Sequence, residues 1–301
     1  MTEQSSIVIG TRGSPLALAQ AHQVRDALQA AHKGLVVEVE VVITKGDRIT
    51  DRPLLELGGK GLFTQEIEAG LLDGRFDLAV HSLKDVETNM PDGLSLIAHP
   101  KREDPRDALI AAEGINSLAD IPEGAVVGTA SLRRGAQLLR ARPDLTVEPL
   151  RGNVQTRLEK VRRGDVAASF LAMAGLNRLG LGEEASAAIP VADMMPAPGQ
   201  GIIALQGRSD DSHVLDLVGP LNDAASFYEA LAERAALKAL DGDCRTPIAA
   251  HAVYAAGEVM LTAELLLPDG SAHWRAEGSA PASEAEALGA ELGAKIKAQQ
   301  S

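Results

Sequence analysis

The sequence predicts an α/β protein with two doubly wound domains followed by a smaller α+β domain. Three features lead to this fold class. Strand-like and helical segments alternate over residues 6–85. A second unit of the same style follows a charged, proline-containing segment at 100–105, and beyond Asn222 the pattern changes to one long helix and three strand-like runs. Alternating strands and helices are typical of parallel sheets covered by helices.

The first unit opens with an apolar strand at 6–9 and a helix whose start is marked twice. Ser14 suits the N-cap and Pro15 the first helical position, and we expect this helix to run to about Ala31. The remaining segments of the unit are a strand at 35–43, a loop at 45–47, a Gly-rich segment at 58–61, a helix at about 63–72 and a strand at 76–80 that leads into residues 81–85.

The second unit repeats this alternation between two hinge-like segments, at 100–105 and 190–198. Val154, Leu158 and Val161 share one helix face because their spacings are four and three. A further strand is expected after the second hinge, so we predict an inserted domain. The predicted strands are 107–111, 125–128, 146–150, 166–171 and 201–206, with helices ending near 142, starting at 154 and spanning 172–179.

The C-terminal segment has a different pattern. A helix is predicted at 224–240, strands at 249–254, 259–267 and 272–277, and a closing helix at 283–298. Pro268-Asp269-Gly270 is typical of a hairpin turn, which favours an antiparallel sheet. The predicted domains are therefore 1–100 with 200–220, the inserted 101–199, and 221–301.

The composition limits the classes of function. The 301 residues are 45% hydrophobic and 24% charged, as in globular proteins. A formal charge of −13 and an aromatic content of 2% argue against a nucleic-acid partner. We expect no membrane association, because no apolar run reaches spanning length, and a cytoplasmic location, because the polar start lacks a secretory signal. We expect a monomer, since no segment demands a partner.

Basic and hydroxyl side chains recur where strands end and helices begin. In doubly wound sheets, ligands bind beyond these carboxyl ends. A single arginine is more often a solvated surface residue, but the recurrence favours a cleft for a ligand with several carboxylates or phosphates. The scattered histidines indicate no metal site. The residues concerned are Arg12, Ser14, Lys45, Lys84, Thr129, Ser131, Arg133, Arg134 and Arg151, with Arg157 and Arg178 on the helices that follow.

Two other residues have chemical potential. Asp85 lies among cationic neighbours, so its carboxylate should stay ionised. It could stabilise a cationic intermediate or transfer a proton, or it could simply pair with Lys84 or cap a turn. Cys244 is the only cysteine and lies in a loop rich in Gly, Asp and Pro. It could be a packing residue, an incidental thiol or a nucleophile.

Several motifs together resemble the porphobilinogen deaminase, or hydroxymethylbilane synthase, family. His81-Ser82-Leu83-Lys84-Asp85 is one of them, and Gly242-Asp243-Cys244-Arg245-Thr246-Pro247 is another. The resemblance covers nearly the whole chain, in the family's order. The other matching stretches are 11–17, 58–63, 128–134, 150–158, 174–180 and 198–201.

The resemblance implies a fold and an activity. The first two domains should be similar to two-lobed periplasmic binding proteins, and the third should carry the cysteine. The family joins four porphobilinogen units head to tail with release of ammonia, and the product is the linear tetrapyrrole hydroxymethylbilane. A dipyrromethane cofactor is attached by a thioether, here expected at Cys244. The aspartate that matches the catalytic one is Asp85, which would stabilise the electrophilic azafulvene left by loss of ammonia.

The resemblance also implies roles for the basic residues. The residues expected to bind the carboxylates of the cofactor are Lys84, Thr129, Ser131, Arg133 and Arg134. The residues expected to bind incoming substrate and the product chain are Arg12, Ser14, Arg151, Arg157 and Arg178. Gln200 is also expected to bind substrate, from a position in the inter-domain region, and Lys60 to lie in a mobile loop. Three positions depart from the family's pattern: Glu56, where relatives often have lysine, Ala167, where they commonly have aspartate, and Glu87, where proline is frequent.

Two other functions are compatible with the pattern of the residues. A two-lobed protein could capture a small anion without any chemistry, although a loop cysteine and a carboxylate among the cations do not help such capture. The lobes could also form the effector-sensing part of a regulator, but residues 1–6 leave no room for a helix-turn-helix domain before the first strand. Covalent occupancy of Cys244 distinguishes the enzyme from the binding protein.

Overall fold

A computed structural model describes residues 6–48, 64–241 and 246–300. The chain divides into two compact units. The first comprises Met1–Arg102 and Ile202–Phe227, and the second comprises Glu103–Gly201 and Tyr228–Ser301. The second unit therefore groups the predicted inserted domain with most of the C-terminal segment.

The first unit contains a five-stranded sheet in the order β2-β1-β3-β10-β4. Strands β2, β1 and β3 are parallel neighbours, whereas β10 runs antiparallel to β3 and β4. The strands are β1 (Ser6–Arg12), β2 (Val36–Val42), β3 (Leu78–Ser82), β4 (Leu94–Ala98) and β10 (Ile203–Arg208); the helices are α1 (Pro15–Ala31), α2 (Lys45–Arg48), α3 (Gln65–Leu72) and α7 (Ser212–Val218).

Helices cover both faces of this sheet, as expected for a doubly wound domain. On one face, Val24 and Leu28 of α1 and Val218 of α7 pack against the sheet. On the other face, Ile67 and Leu71 of α3 pack around Phe76. Each face of the sheet is therefore buried, which explains its apolar strands.

The second unit has a sheet of the same design, in the order β7-β6-β8-β5-β9. Strands β7, β6 and β8 are parallel, and β5 runs antiparallel to β8 and β9. The elements are β5 (Asp107–Ala111), β6 (Val126–Gly128), β7 (Thr146–Glu148), β8 (Ala168–Ala172), β9 (Ala187–Ala188), α4 (Leu132–Ala141), α5 (Val154–Arg162) and α6 (Met173–Arg178).

The expectation of parallel sheets is wrong at one strand in each unit. A crossover helix returns the chain to the same end of a sheet and keeps successive strands parallel. Strands β5 and β10 instead follow directly after the segments that connect the two units, with no helix in between. These two strands are the antiparallel ones. The predicted loop at 45–47 is also wrong, since Lys45–Arg48 forms a helical turn whose first N–H, that of Lys45, donates to Glu66 Oε1 at 3.0 Å.

The C-terminal sheet is antiparallel, as predicted, in the order β11-β12-β13. The open edge of its first strand is capped by side chains of the preceding helix. The Ala252 N–H donates to Glu233 Oε1 at 2.7 Å and the Tyr254 N–H to Glu229 Oε1 at 3.1 Å. The elements are α8 (Ala224–Ala239), β11 (Ile248–Ala255), β12 (Glu258–Leu266), β13 (His273–Pro281) and α9 (Ala285–Ala298).

Helices α8 and α9 approach closely because α9 carries glycine at the contact. A Cβ atom on Gly289 would contact the Ala232 carbonyl oxygen and lie 2.7 Å from Ala235 Cβ, and one on Gly293 would lie 2.6 Å from Ala239 Cβ. Part of the obstruction is helix backbone, which cannot move aside as a flexible side chain would.

We expect Gly289→Ala to lower the free energy of unfolding by roughly 1–3 kcal/mol, as overpacking of a tight contact does. Urea unfolding followed by circular dichroism measures the change. Gly219→Ala is the matched control, because a Cβ atom there meets nothing within 4 Å. Equal stability of the two variants would contradict the close helix contact.

Candidate active site

In the first unit, the predicted site residues lie at the carboxyl ends of two neighbouring parallel strands. Arg12 is the last residue of β1, while Lys84 and Asp85 lie in a 3₁₀ turn directly after β3. Asp85 is exposed and Lys84 is half-buried. Because β1 and β3 are paired in parallel, these side chains start from the same edge of the sheet.

Ser14 has a structural task besides its predicted role. It is the N-cap of α1, and the Ala17 N–H donates to its Oγ at 3.3 Å. The cap uses a lone pair of the oxygen, so the hydroxyl hydrogen is not needed for it.

A buried polar chain lies under the turn that carries Lys84 and Asp85. His81 Nε2 is 3.1 Å from Gln206 Oε1, and Gln206 Nε2 donates to Glu68 Oε1 at 3.2 Å. Burial lowers the pKa of His81 to about 4, and the nearby positive charge of Arg12 acts in the same direction. His81 is therefore a neutral donor at neutral pH, which holds the end of β3 in place.

In the second unit, the predicted residues again follow the carboxyl ends of adjacent parallel strands. Thr129 follows β6, and Ser131 caps α4 by accepting the Arg134 N–H at 3.4 Å. Arg151 follows β7 and precedes the cap of α5, and Arg178 is the last residue of α6, the helix after β8. Strands β7, β6 and β8 are neighbours, so three loops meet at one edge.

Arg133 and Arg134 are both buried and share one carboxylate, that of Asp107, which is completely buried. Arg134 donates to Asp107 Oδ1 through Nε at 3.0 Å and Nη2 at 2.6 Å, and through Nη1 to the Phe170 carbonyl at 3.0 Å. Arg133 Nη1 lies 2.8 Å from Asp107 Oδ2 and donates to the Met195 carbonyl at 2.6 Å. The two guanidinium groups are thus fixed by protein atoms before any ligand is considered.

Gln200 belongs to the same cluster. It is completely buried, and its Nε2 donates to Asp107 Oδ1 at 2.9 Å and to the Pro105 carbonyl at 2.7 Å. The two arginines lower the pKa of Asp107 far below its usual value, overcoming the opposite effect of burial. Burial lowers the pKa of Arg133, and the charge of Arg134 adds to this.

In two further arginines, Arg157 and Arg178, the charged form of the side chain is destabilised. The pKa of Arg157 is lowered to about 10 by burial and by the like charges of Arg134 and Arg151. The pKa of Arg178 is also lowered to about 10 by burial, against the opposing effect of Glu103. Arg178 Nη2 donates to the Gly201 carbonyl at 2.8 Å, and its buried Nε lacks a hydrogen-bond partner within the described residues. Such groups would be stabilised by an anion.

Asp107 was not predicted from the sequence. It starts an otherwise apolar strand, and a carboxylate in that position must find cationic partners if it is buried. An aspartate at the start of an apolar strand was therefore the sequence signal that could have identified it. Its partners Arg134 and Gln200 lie 27 and 93 positions further along the chain, so the sequence around Asp107 does not show which residues they are.

Cys244, Lys60 and Glu56 lie outside the described residues, so their expected roles stay predictions. In the described segments, no group of three or more His, Asp or Glu side chains is arranged to hold a metal ion. Nor does any helix of those segments have the length and apolarity needed to cross a membrane.

Sequence comparisons identify the family. The family model described as "Porphobilinogen deaminase, dipyromethane cofactor binding domain" matches residues 7–216. The chain belongs to the porphobilinogen deaminase family. The family's model for the "Porphobilinogen deaminase, C-terminal domain" matches residues 227–298. A curated porphobilinogen deaminase of Paracoccus denitrificans (strain Pd 1222) is 48% identical over 297 residues, which cover 98% of this chain and 94% of that protein.

Membership in the porphobilinogen deaminase family confirms two expectations: synthesis of hydroxymethylbilane from porphobilinogen and use of a dipyrromethane cofactor. Solved structures similar to the chain include the unliganded L-cystine solute receptor of Neisseria gonorrhoeae, with a TM-score of 0.42 and 16% identity, covering 77% of this chain and 92% of that one. The periplasmic aliphatic sulphonate binding protein SsuA of Escherichia coli has a TM-score of 0.41 and 16% identity, covering 79% and 71%.

The depressed pKa of His81 predicts a pH-dependent stability. Above pH 6.5 the ring is neutral in the folded and unfolded states. Between pH 6.5 and about 4 the unfolded chain binds a proton that the folded chain does not, so stability falls as the pH falls through this range. At pH 5 the loss relative to pH 7 amounts to about 2 kcal/mol from this residue.

We expect His81→Gln to remove this part of the pH dependence, as measured by urea unfolding at pH 7 and pH 5. The exposed His22→Gln, on α1 of the same unit, is the control and should leave the difference between the two pH values in place. An unchanged pH dependence in the His81 variant would show that the ring is protonated in the folded protein.

Proposed function

We propose that this chain builds hydroxymethylbilane on a dipyrromethane attached to Cys244, with Asp85 as its catalytic carboxylate. The observation that supports this most directly is a cluster of arginines at the carboxyl ends of β6, β7 and β8. This arginine cluster consists of Arg133, Arg134, Arg151 and Arg157. Its guanidinium groups are partly or fully buried, and in the part of the chain that the structure describes Asp107 is the one carboxylate paired with Arg133 and Arg134. A ligand with several carboxylates supplies the missing negative charge.

The residues present fit a dipyrromethane. Each of its two pyrroles carries an acetate and a propionate. Within the described residues, Arg133 Nε and Arg178 Nε are buried donors without a hydrogen-bond partner, and Arg157 lies beside the charges of Arg134 and Arg151. Charge-assisted hydrogen bonds to carboxylates would satisfy these groups. A neutral or cationic ligand would leave the penalty in place.

Two sets of residues divide the binding of carboxylates in this proposal. Those that hold the cofactor are Lys84, Thr129, Ser131, Arg133 and Arg134. Those that hold substrate and the growing chain are Arg12, Ser14, Arg151, Arg157 and Arg178. Gln200 acts through Asp107 rather than on a ligand, because both donors of its amide are already used. Lys60 would contribute from the Gly-rich segment.

The geometry favours different tasks for the paired arginines. Arg134 commits its Nε and one hydrogen on each Nη to protein acceptors, which leaves two hydrogens for a ligand. Arg133 has a buried donor at Nε that no protein acceptor satisfies in the described residues. We therefore infer that Arg133 contributes more binding energy to the cofactor than Arg134 does, and that Arg134 mainly keeps the cluster in place.

When bound, the dipyrromethane supplies the primer pyrrole to which substrate is joined. Asp85 is exposed at the edge of its sheet, next to Lys84. As ammonia leaves the aminomethyl group of porphobilinogen, positive charge develops on the substrate, and a carboxylate stabilises that charge. The same carboxylate can accept the proton that is released when the new carbon–carbon bond forms.

We also propose that the chain acts as a cytoplasmic monomer of three domains, namely 1–100 with 200–220, 101–199 and 221–301. The two family models, which meet between residues 216 and 227, support a separate C-terminal domain.

Asp85→Asn should lower the turnover number by roughly 10²–10⁴-fold, because the amide is uncharged and accepts no proton. Release of ammonia and appearance of hydroxymethylbilane measure the rate. Asp92→Asn is the matched control, since Asp92 is an exposed aspartate of the same unit outside the site. Turnover of the Asp85 variant at the rate of the control would remove Asp85 from the mechanism.

Intact-mass measurement of the purified protein, before and after digestion, should find an adduct of two pyrrole units on the peptide that contains Cys244. Cys244→Ser should carry none, because a serine hydroxyl is a much weaker nucleophile than a thiolate. If wild-type protein carries no adduct and gains none when porphobilinogen is added, attachment of the cofactor to Cys244 is contradicted. A normally loaded serine variant would place the attachment elsewhere.

A further inference from the structure

Asp107 is the centre of the buried cluster in the second unit. Its carboxylate is completely buried and accepts hydrogen bonds at Oδ1 from Arg134 and Gln200, while Oδ2 faces Arg133 Nη1. It is also the first residue of β5, the strand that follows the connection from the first unit.

The charges of the cluster do not cancel. Asp107 contributes one negative charge, and Arg133 and Arg134 contribute two positive charges. Arg157 is near enough to Arg134 for its pKa to be lowered by it, and Arg151 adds to the same effect. Burying a charge without compensation is costly, so a cluster with excess positive charge favours open arrangements in which the arginines reach water.

We propose that Asp107 is a built-in counter-ion that holds Arg133 and Arg134 in their binding positions before the cofactor is attached. It is a positioning residue that acts through the arginines and does not touch the ligand. The inference rests on the proposed function, because it assigns the remaining positive charge to the carboxylates of the dipyrromethane. In the unloaded chain, Asp107 is the carboxylate paired with this pair of arginines; in the loaded chain, it shares that task with the ligand.

The contacts explain why one aspartate suffices for this task. Arg134 Nη1 also donates to the Phe170 carbonyl and Arg133 Nη1 to the Met195 carbonyl, so the arginines cannot rotate away from Asp107 without losing a second acceptor. Gln200 donates to the same Oδ1 atom and keeps the carboxylate oriented. Arg133 Nε, which has no hydrogen-bond partner among the described residues, is one of the donors that this arrangement leaves for the ligand.

The test compares Asp107→Asn in two full-length backgrounds. One is the chain that carries the cofactor, isolated as the loaded fraction identified by intact mass, and the other is Cys244→Ser, which cannot form the thioether. Asparagine keeps the shape of the side chain but removes its charge. We expect the fall in thermal midpoint caused by Asp107→Asn to be at least twofold larger in the Cys244→Ser background. Unloaded Asp107→Asn should also acquire the adduct more slowly from porphobilinogen than unloaded wild-type chain.

Asp104→Asn is the matched control. Asp104 lies three residues earlier and holds Arg106 at 2.6 Å, but this pair is partly exposed and lies outside the cluster. It should change the thermal midpoint equally in both backgrounds. Equal losses for Asp107→Asn in the two backgrounds, together with wild-type loading, would reduce Asp107 to an ordinary structural ion pair and overturn the inference.

Two further outcomes are decisive. If Asp107→Asn does not fold in the Cys244→Ser background, the added change Arg134→Gln should restore folding, because it removes one of the uncompensated cations; failure of this rescue counts against the counter-ion role. If wild-type protein shows no adduct at all, the proposed attachment fails. If wild-type protein carries the adduct and Asp107→Asn lowers the thermal midpoint equally in the two backgrounds, only the counter-ion role of Asp107 is contradicted.

Discussion

One buried carboxylate determines how the second unit can present arginines at the edge of its sheet. Two guanidinium groups side by side in a protein interior repel each other and lose their hydration. Asp107 compensates for part of both effects. As the first residue of β5, it also connects this strand to Arg133 and Arg134 of α4. The carbonyls of Phe170 and Met195 complete the cluster. The remaining positive charge is available for a ligand because the cluster is only partly neutralised.

The topology places the other functional residues. Both sheets have the same order, with three parallel strands on one side and one antiparallel strand next to them. The carboxyl ends of β1 and β3 meet at one edge of the first sheet, and those of β6, β7 and β8 meet at one edge of the second. Side chains far apart in sequence therefore come from neighbouring strand ends in each unit. This is the general location of ligand sites in doubly wound sheets.

Local signals were enough to predict much of this arrangement. Ser14 caps α1, as its residue type and the following Pro15 predict. The direction of β5 and β10 could not be predicted, because a strand buried on both faces is a continuous apolar run whichever way it points. The role of Asp107 was missed for a different reason: its environment consists of residues distant in sequence, and only their side-chain contacts reveal it. Strand β9 has two residues, too few for any periodic signal.

A second buried carboxylate links the cluster to α8 and β11, the elements that precede and follow Cys244 in the sequence. Glu233 of α8 is completely buried and accepts the Gly199 N–H at 2.6 Å and the Ala252 N–H of β11 at 2.7 Å. Gln200, which follows Gly199, donates through Nε2 to Asp107 Oδ1. Helix α8 and strand β11 are thus joined to the arginine cluster through two adjacent residues, Gly199 and Gln200. Since each link is a buried hydrogen bond to a carboxylate, a shift of any one of them leaves a buried polar group unsatisfied, which costs about 1–3 kcal/mol. The positions of α8 and β11 relative to the arginine cluster are therefore set by short contacts within the second unit.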